Sequence, residues 1–315
     1  MAPSARAAGS GEHGGGGPGL VEVAGPHGPW DRVRGELAHR GTAVVAGRLP
    51  DWRLPGGEAA LRRMLGRDWH RYEAMSQPLM KERFSASRLL LRHVIAAAID
   101  TVPEQVDLAY QPGGRPYVRG CDQIDISLSH TRRTLVAGIT RRGRIGVDVE
   151  SADRRMAGTG SESQGCTPYE LARLDEGEAG ERNATLVRLW TLKEAYSKAL
   201  GQGLRFRFTE FGFDLGADRI RLVRPDGTPA DGGEWAFGTG VLGGDPDGDP
   251  DGGQDGDPGG GYVVGTAVYD SGFGETSDLS VRTALDAGLL DALLGAAAPP
   301  TAFEADPRAD PRAAP

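Results

Sequence analysis

The chain has 315 residues, of which 38% are hydrophobic and 25% are charged, enough for one large domain or two ordinary ones. The formal net charge of −8 excludes a protein that is basic overall, as nucleic-acid-binding proteins often are, and six of the acids lie within residues 243–261. No apolar run approaches the ~18 residues of a membrane span, and the two distant cysteines form no CxxC pattern, so we expect a cytoplasmic protein with neither nucleic acid nor membrane as a partner.

The first part of the chain is predicted to alternate short strands with helices. Residues 1–28 are rich in glycine and aperiodic, which predicts a disordered tail. Apolar periodicity then predicts a strand at 42–47, helices at 57–74 and 85–99, and strands at 106–110, 124–128, 135–140 and 144–150. The last two strands are separated by a short turn, which predicts that they pair as a hairpin.

The second part begins with a helix start at Thr167, where Pro168 follows and Glu170 can complete a capping box. The elements predicted from there are this helix, a longer helix at 183–200 ending at Gly201, strands at 204–208, 211–215, 220–223, 234–238 and 262–269, and a terminal helix at 286–298. A Pro-Asp-Gly turn predicts that strands 220–223 and 234–238 form a second hairpin.

Both parts run from a strand through helices to several short strands, and this repeated order predicts the fold. We expect an α+β protein of two similar halves, a pseudo-duplication in which each half has a small, mostly antiparallel sheet with packed helices. The predicted divisions are a disordered tail at 1–28, an N-terminal half at 29–130, a C-terminal half at 131–275 with an acidic loop insertion at 243–261, and a terminal helix with a disordered tail at 276–315.

Two carboxylates lie on one face of a predicted strand. In the segment GVDVE at 146–150, side chains two residues apart point the same way, so Asp148 and Glu150 lie side by side. Adjacent carboxylates repel unless a cation or a proton lies between them, and Mg²⁺ prefers oxygen ligands of this kind. The alternative is an ordinary amphipathic strand with its acidic face in water.

A predicted helix carries the next candidate residues. In WTLKEAYSKAL at 190–200, Glu194 and Lys198 lie four residues apart on one face. Such a pair is commonly an exposed ion pair worth about 0.2–0.5 kcal/mol, and taken alone the segment favours this interpretation. The alternative is that Glu194 is a third carboxylate ligand and Lys198 contacts a phosphate.

Three shorter segments add weaker signals. Ser129 and His130 lie at a strand end within SLSHT, which fits a phosphate-binding turn, although a lone histidine is more often structural. Arg88 follows the charged segment KERF at 81–84, which is otherwise typical of a solvated helix face. The segment GRP at 114–116 is most simply a turn.

Taken together, these segments resemble the 4′-phosphopantetheinyl transferases, of the two-domain type that activates surfactin-like synthetases. The resemblance spans about residues 40–270, and its last two motifs are the most specific. The matching segments are ERFSASR at 82–88, GRP at 114–116, SLSHT at 127–131, GVDVE at 146–150 and WTLKEAYSKALGQGL at 190–204.

The resemblance implies a reaction in which a serine of an apo acyl or peptidyl carrier protein receives the phosphopantetheine arm of coenzyme A. It implies Mg²⁺ bound by Asp148, Glu150 and Glu194, with one of the two glutamates as the base and Lys198 as a further catalytic residue. The residues that it places near coenzyme A are Arg88, Gly114, Arg115, Pro116, Ser129, His130, Lys193 and Lys198. It also implies an active site between the two halves, so that a monomer holds a complete site.

Two functions of other classes remain open at this stage. A magnesium-dependent phosphohydrolase of a nucleotide-like substrate could use the same three acids. A non-catalytic calcium-binding module could use the acidic tract, because Asp247, Asp249, Asp251 and Gly252 match the opening of an EF-hand loop. Its twelfth position is Pro258 instead of the bidentate glutamate, which argues against the module.

Overall fold

The computed structural model describes residues 19–54, 56–201, 207–230, 234–244 and 261–270. Within these ranges the chain has the predicted α+β class, with small, mostly antiparallel sheets and packed helices. None of the helices there is long and apolar enough to cross a membrane. The predicted terminal helix, most of the acidic tract and the first part of the strand at 204–208 lie outside the described residues.

The helices are α1 (Trp30–Arg40), α2 (Gly57–Leu65), α3 (Trp69–Glu73), α4 (Pro78–Ile99), α5 (Ser161–Gly165), α6 (Pro168–Glu176) and α7 (Arg182–Leu200). The strands are β1 (Leu20–Val23), β2 (Thr42–Arg48), β3 (Leu108–Tyr110), β4 (Pro116–Val118), β5 (Asp125–Thr131), β6 (Thr134–Thr140), β7 (Gly143–Ser151), β8 (Gly212–Leu215), β9 (Ile220–Val223), β10 (Trp235–Leu242) and β11 (Tyr262–Asp270). Short 3-10 turns lie at Gly25–His27, Leu49–Trp52, Gly66–Asp68 and Pro103–Gln105.

Two sheets stack between two long helices. The first sheet has the order β1-β2-β6-β5 and the second has the order β10-β11-β7. Ala43 and Val45 of β2 pack into a core with α4, whereas Val44 and Ala46 pack against valines of the second sheet. Because both faces of β2 are covered, its sequence is continuously apolar instead of alternating. The second sheet packs its other face against α7.

Two glycines let α7 lie close to the second sheet. A methyl group at Gly146 of β7 would overlap the carbonyl oxygen of Ala195 in α7. A methyl group at Gly265 of β11 would lie 2.6 Å from the carbonyl oxygen of Thr191. The glycine of the GVDVE segment is therefore a packing residue, and it sets the distance between the acids of β7 and the residues of α7.

The free edge of β7 is covered by side chains of β5. Asp125 Oδ2 accepts a hydrogen bond from the backbone N–H of Ile145 at 2.8 Å, and Ser127 Oγ accepts one from Val147 at 3.1 Å. The two strands therefore join through side-chain acceptors on alternate residues of β5, which satisfy backbone donors that a neighbouring strand would otherwise satisfy.

Several predicted elements are confirmed with changed limits. Thr167 and Glu170 form the expected capping box, and α7 ends where Gly201 adopts a left-handed conformation. The first predicted helix is interrupted at Gly66, and α4 begins at Pro78, seven residues earlier than predicted, with proline in its first turn. The disordered tail predicted for 1–28 is wrong for its last residues, because β1 pairs there in parallel with β2.

Both predicted hairpins are wrong in their pairing. β6 pairs with β2 and β5, and β7 pairs with β11 in the other sheet. β9 pairs with β8, and β10 pairs with β11 on either side of the acidic tract. Residues 207–208 do not continue a strand. The division predicted after His130 cuts through β5, so the chain passes between the sheets at residues 141–142 instead.

Candidate active site

Three acids approach one another between β7 and α7. Val147 and Val149 face the first sheet, so Asp148 and Glu150 face α7, where Glu194 and Lys198 lie about one helical turn apart. The pKa values of both glutamates are influenced by Asp148 and Lys198. The structure therefore brings together all three predicted metal ligands and one predicted lysine.

Asp148 is buried and only partly satisfied. It is 5% exposed, and its Oδ1 accepts hydrogen bonds from Lys198 Nζ at 2.6 Å and from Ser129 Oγ at 2.8 Å. Its Oδ2 is also buried, and nothing in the described part of the chain donates a hydrogen bond to it. Leaving such an acceptor unpaired costs about 1–3 kcal/mol, more for a charged group, so this oxygen is a point at which a ligand can bind with a gain in free energy.

The two glutamates resist ionisation. Burial, and next the charge of Asp148, raises the pKa of Glu150 to about 7, although Arg154 and Lys198 act in the opposite direction. Burial and then Asp148 also raise the pKa of Glu194. Arg154 forms an ion pair with Glu150, and its guanidinium lies 4.9 Å from the centre of the Trp190 ring. Both glutamates therefore lie in a region that disfavours their ionised form.

His130, near the end of β5, lies close to a group of cations and to the acid Asp148. The pKa of His130 lies below its usual value, first because of desolvation and then because Arg83, Lys198 and Arg88 disfavour its protonated form. Asp148 acts in the opposite direction. Side chains of α4, β5, β7 and α7 thus surround one region that has an acidic and a basic side.

Two residues that hold Arg88 are not indicated by any sequence pattern. Arg88 Nε donates a hydrogen bond to the Tyr110 hydroxyl at 2.9 Å, and this hydroxyl donates one to Asp68 Oδ2 at 2.7 Å. Asp68 is 2% exposed, and the Arg71 guanidinium lies 4.5 Å from the centre of the Tyr110 ring. Asp68 and Tyr110 are 42 residues apart in the chain, so no local motif could indicate that they meet.

Lys193 was predicted to lie near the phosphates of coenzyme A, and the structure corrects this prediction. Its side chain is fully buried, and Nζ donates hydrogen bonds to Glu170 Oε2 at 2.7 Å and to the carbonyl oxygens of Phe208 at 2.6 Å and Phe211 at 2.9 Å. An ammonium has three donors, and all three are used in the core. Lys193 points away from the acids that flank Lys198.

Arg115 was also predicted to contact coenzyme A, but its guanidinium is engaged within the protein. It donates hydrogen bonds to Asp125 Oδ2 and to the carbonyl oxygens of Lys198 and Ile145. Gly114 lies in the exposed turn before Arg115, and Pro116 begins β4 after it. Arg115 and Tyr110 both line a cavity of about 410 Å³. The turn therefore lies near Tyr110, which holds Arg88, while the guanidinium of Arg115 is bonded within the protein.

Asp148, Glu150 and Glu194 offer the oxygen ligands that a divalent cation prefers, although cations of the chain now pair with two of these acids. Among the described residues, no three His, Cys, Asp or Glu side chains are placed to hold one ion. In this arrangement Lys198 pairs with Asp148, and Arg154 pairs with Glu150. The unpaired, buried Oδ2 of Asp148 beside two glutamates is nevertheless the kind of oxygen set that Mg²⁺ binds.

Comparison with known proteins shows which family part of the chain resembles. The model of the 4′-phosphopantetheinyl transferase superfamily matches residues 144–241, which include all three acids and Lys198. The 4′-phosphopantetheinyl transferase of Bacillus subtilis is 26% identical over 141 residues, 44% of this chain and 61% of that protein. Residues 144–241 are thus similar to the 4′-phosphopantetheinyl transferase superfamily.

Two other proteins named as 4′-phosphopantetheinyl transferases are similar over a comparable length. A Synechocystis protein provisionally named a 4′-phosphopantetheinyl transferase is 29% identical over 153 residues, 48% of this chain and 61% of that protein. The 4′-phosphopantetheinyl transferase HetI of Nostoc is 27% identical over 130 residues, 40% of this chain and 55% of that protein. The chain thus spans about three fifths of the length of the relatives that it matches.

Proposed function

We propose that this protein transfers the 4′-phosphopantetheine arm of coenzyme A to a serine of an apo acyl or peptidyl carrier protein. The observation that carries the proposal is the unsatisfied acid cluster of Asp148, Glu150 and Glu194 beside the cations Lys198 and Arg88. A pyrophosphate with a bound divalent cation has charges of both signs to match such a region.

The proposed reaction exchanges one bond to phosphorus for another. The serine oxygen bonds to the phosphorus of the phosphopantetheine arm, the phosphoanhydride bond breaks, and 3′,5′-bisphosphoadenosine leaves. The serine proton passes to Glu150 or Glu194, directly or through a water. Lys198 stabilises negative charge on the leaving phosphate, and Arg88 and His130 bind the 3′-phosphate.

Magnesium is part of the proposal. Asp148, Glu150 and Glu194 would hold the ion, and its charge would stabilise the pyrophosphate as the bond breaks. Lys198 and Arg154 must then release the acids that they hold, and Lys198 is free to turn towards a phosphate. Lys198 and Arg154 thus offset the charge of Asp148 and Glu150 until substrate and metal arrive together.

The layered fold supports the proposed pseudo-duplication. Each sheet packs one long helix, α4 or α7, on its outer face, and the inner faces of the sheets meet. The site then lies where β5 of one half meets β7 and α7 of the other, so we propose a monomer with one complete site. The two cysteines, Cys121 and Cys166, are free thiols, in keeping with the cytoplasmic location predicted from the sequence.

A product assay tests the proposal against the magnesium-dependent phosphohydrolase. The protein is incubated with coenzyme A and Mg²⁺, with and without an apo carrier protein, and 3′,5′-bisphosphoadenosine is quantified. We expect release only when the carrier protein is present. Equal release without the carrier protein would establish hydrolysis and overturn the proposed transfer. A panel of apo acyl and peptidyl carrier proteins then shows which class is the preferred substrate.

A further inference from the structure

A rigid turn between β3 and β4 carries Arg115 into the space between β5, β7 and α7. The turn is closed by two backbone hydrogen bonds, from Gln111 N–H to the Arg115 oxygen at 2.9 Å and from Gly114 N–H to the Gln111 oxygen at 2.8 Å. The Arg115 side chain is 10% exposed. Its position is therefore fixed by the backbone behind it, and little of its guanidinium remains for a ligand.

The three acceptors of Arg115 belong to the elements that form the site. The carbonyl oxygen of Ile145 lies 2.7 Å away on β7, three residues before Asp148. Asp125 lies on β5 and also accepts the backbone N–H of Ile145 at 2.8 Å. The third acceptor is the backbone carbonyl of Lys198 in the last turn of α7, where a cation also interacts favourably with the helix dipole.

We propose that Arg115 is a positioning residue that sets the last turn of α7, and with it Lys198, at a fixed distance from Asp148. This proposal rests on the proposed transfer function. The guanidinium reaches Lys198 and Ile145 by planar, directed donors, which a lysine ammonium cannot reproduce. Without this brace, the last turn of α7 loses the hydrogen bonds that tie its Lys198 carbonyl, through Arg115, to β5 and β7, and the ammonium of Lys198 loses its alignment.

Two variants and one matched control test the proposal. Arg115→Lys keeps the positive charge but removes the planar guanidinium with its directed donors. Asp125→Asn removes the charged acceptor, while the two carbonyl acceptors remain. The control is Arg142→Ala, which breaks a comparable ion pair of 2.8 Å with Asp270 at the far end of β7 from the acids. The measurements are kcat, KM for coenzyme A, and hydrogen exchange of the Gly201 amide, which donates to the same Lys198 carbonyl at 3.0 Å.

We expect Arg115→Lys to lower kcat about tenfold or more, to change KM for coenzyme A by less than about twofold, and to speed exchange at Gly201. Asp125→Asn should show a smaller change of the same kind, and Arg142→Ala should keep the wild-type kcat. Wild-type kcat in Arg115→Lys, an effect confined to KM, or an equal loss in Arg142→Ala would overturn the proposal. Hydrogen exchange at the Gly201 amide needs no substrate, so it tests the proposed role of Arg115 independently of activity. If the wild-type protein transfers nothing, only the proposed function is overturned.

Discussion

Two lysines on α7, five residues apart, form ion pairs with opposite properties. Lys193 and Glu170 are both buried, and every donor of the lysine is used. Glu170 also accepts the backbone N–H groups of Thr167 at 2.8 Å and Phe213 at 2.9 Å. Lys198 is 28% exposed, and its partner Asp148 keeps one buried oxygen without a donor.

Saturation of hydrogen bonds thus separates an ion pair that holds the fold from one that is proposed to bind a ligand. A buried pair with all its partners fixes structure, and its loss leaves an uncompensated charge. A buried carboxylate oxygen without a partner calls for an explanation, and a ligand site is one. The two lysines were predicted to share one function from the sequence, and only their surroundings separate them.

The largest expected effect comes from breaking the buried ion pair of Lys193 and Glu170. Lys193→Met leaves the buried Glu170 without its cation, so we expect the free energy of unfolding to fall by about 3–5 kcal/mol. Lys198→Met should cost clearly less, because water reaches that site. Urea denaturation of both variants measures the two losses. Equal losses would contradict the distinction between the pairs.

The next largest effect concerns Asp148, whose buried Oδ2 accepts no hydrogen bond from the described residues. Asp148→Ala removes the oxygen that is proposed to hold the metal, and we expect kcat to fall at least about 100-fold, or about 2.7 kcal/mol of transition-state stabilisation. The melting temperature should stay close to that of the wild type or rise, because a poorly satisfied buried acid is removed. Steady-state kinetics at saturating Mg²⁺ with thermal denaturation in parallel provide the check. Wild-type turnover would remove Asp148 from the proposed site.

A smaller effect concerns the distance between β7 and α7. Gly146→Ala forces a methyl group against the Ala195 carbonyl, and backbone cannot move aside cheaply, so we expect a loss of about 1–3 kcal/mol in unfolding free energy. Gly180→Ala is the matched control, since nothing lies within 4 Å of a methyl group there. Chemical denaturation of the two variants measures the difference in unfolding free energy. An unchanged stability of Gly146→Ala would show that α7 does not pack closely against this glycine.

The last expected effect is a dependence of stability on pH. The pKa of Glu150 rises from 4.5 to about 7 on folding, so the folded protein retains a proton that the unfolded chain has released. This contribution to stability is therefore present at low pH and is lost as the pH rises from 4.5 to 7. Glu150→Gln should flatten the decline of unfolding free energy in that window, measured without Mg²⁺. An identical slope in the variant would exclude Glu150 as its source.

Local rules predicted the parts of the molecule that depend on neighbouring residues. The capping box of Thr167 and Glu170 and the helix end at Gly201 follow from short sequence patterns. The acids of β7 were also visible, because a strand places alternate residues on one face.

The rest depends on contacts between distant residues. Strand pairing went wrong at β6 and β7 because an apolar strand carries no sign of which sheet covers it. The core position of Lys193 depends on Glu170, 23 residues away, and on two backbone carbonyls that no motif marks. The bracing contacts of Arg115 likewise come from three separate elements.

The most direct test of the account is the intact mass of an apo carrier protein after incubation with coenzyme A, Mg²⁺ and this protein. We predict a gain of one phosphopantetheinyl group with the wild-type protein, and no gain with Asp148→Ala or with a carrier protein whose acceptor serine is replaced by alanine. An unchanged carrier mass with the wild type across the panel, or an equal gain with Asp148→Ala, would contradict the claim that the unsatisfied acid cluster performs the transfer.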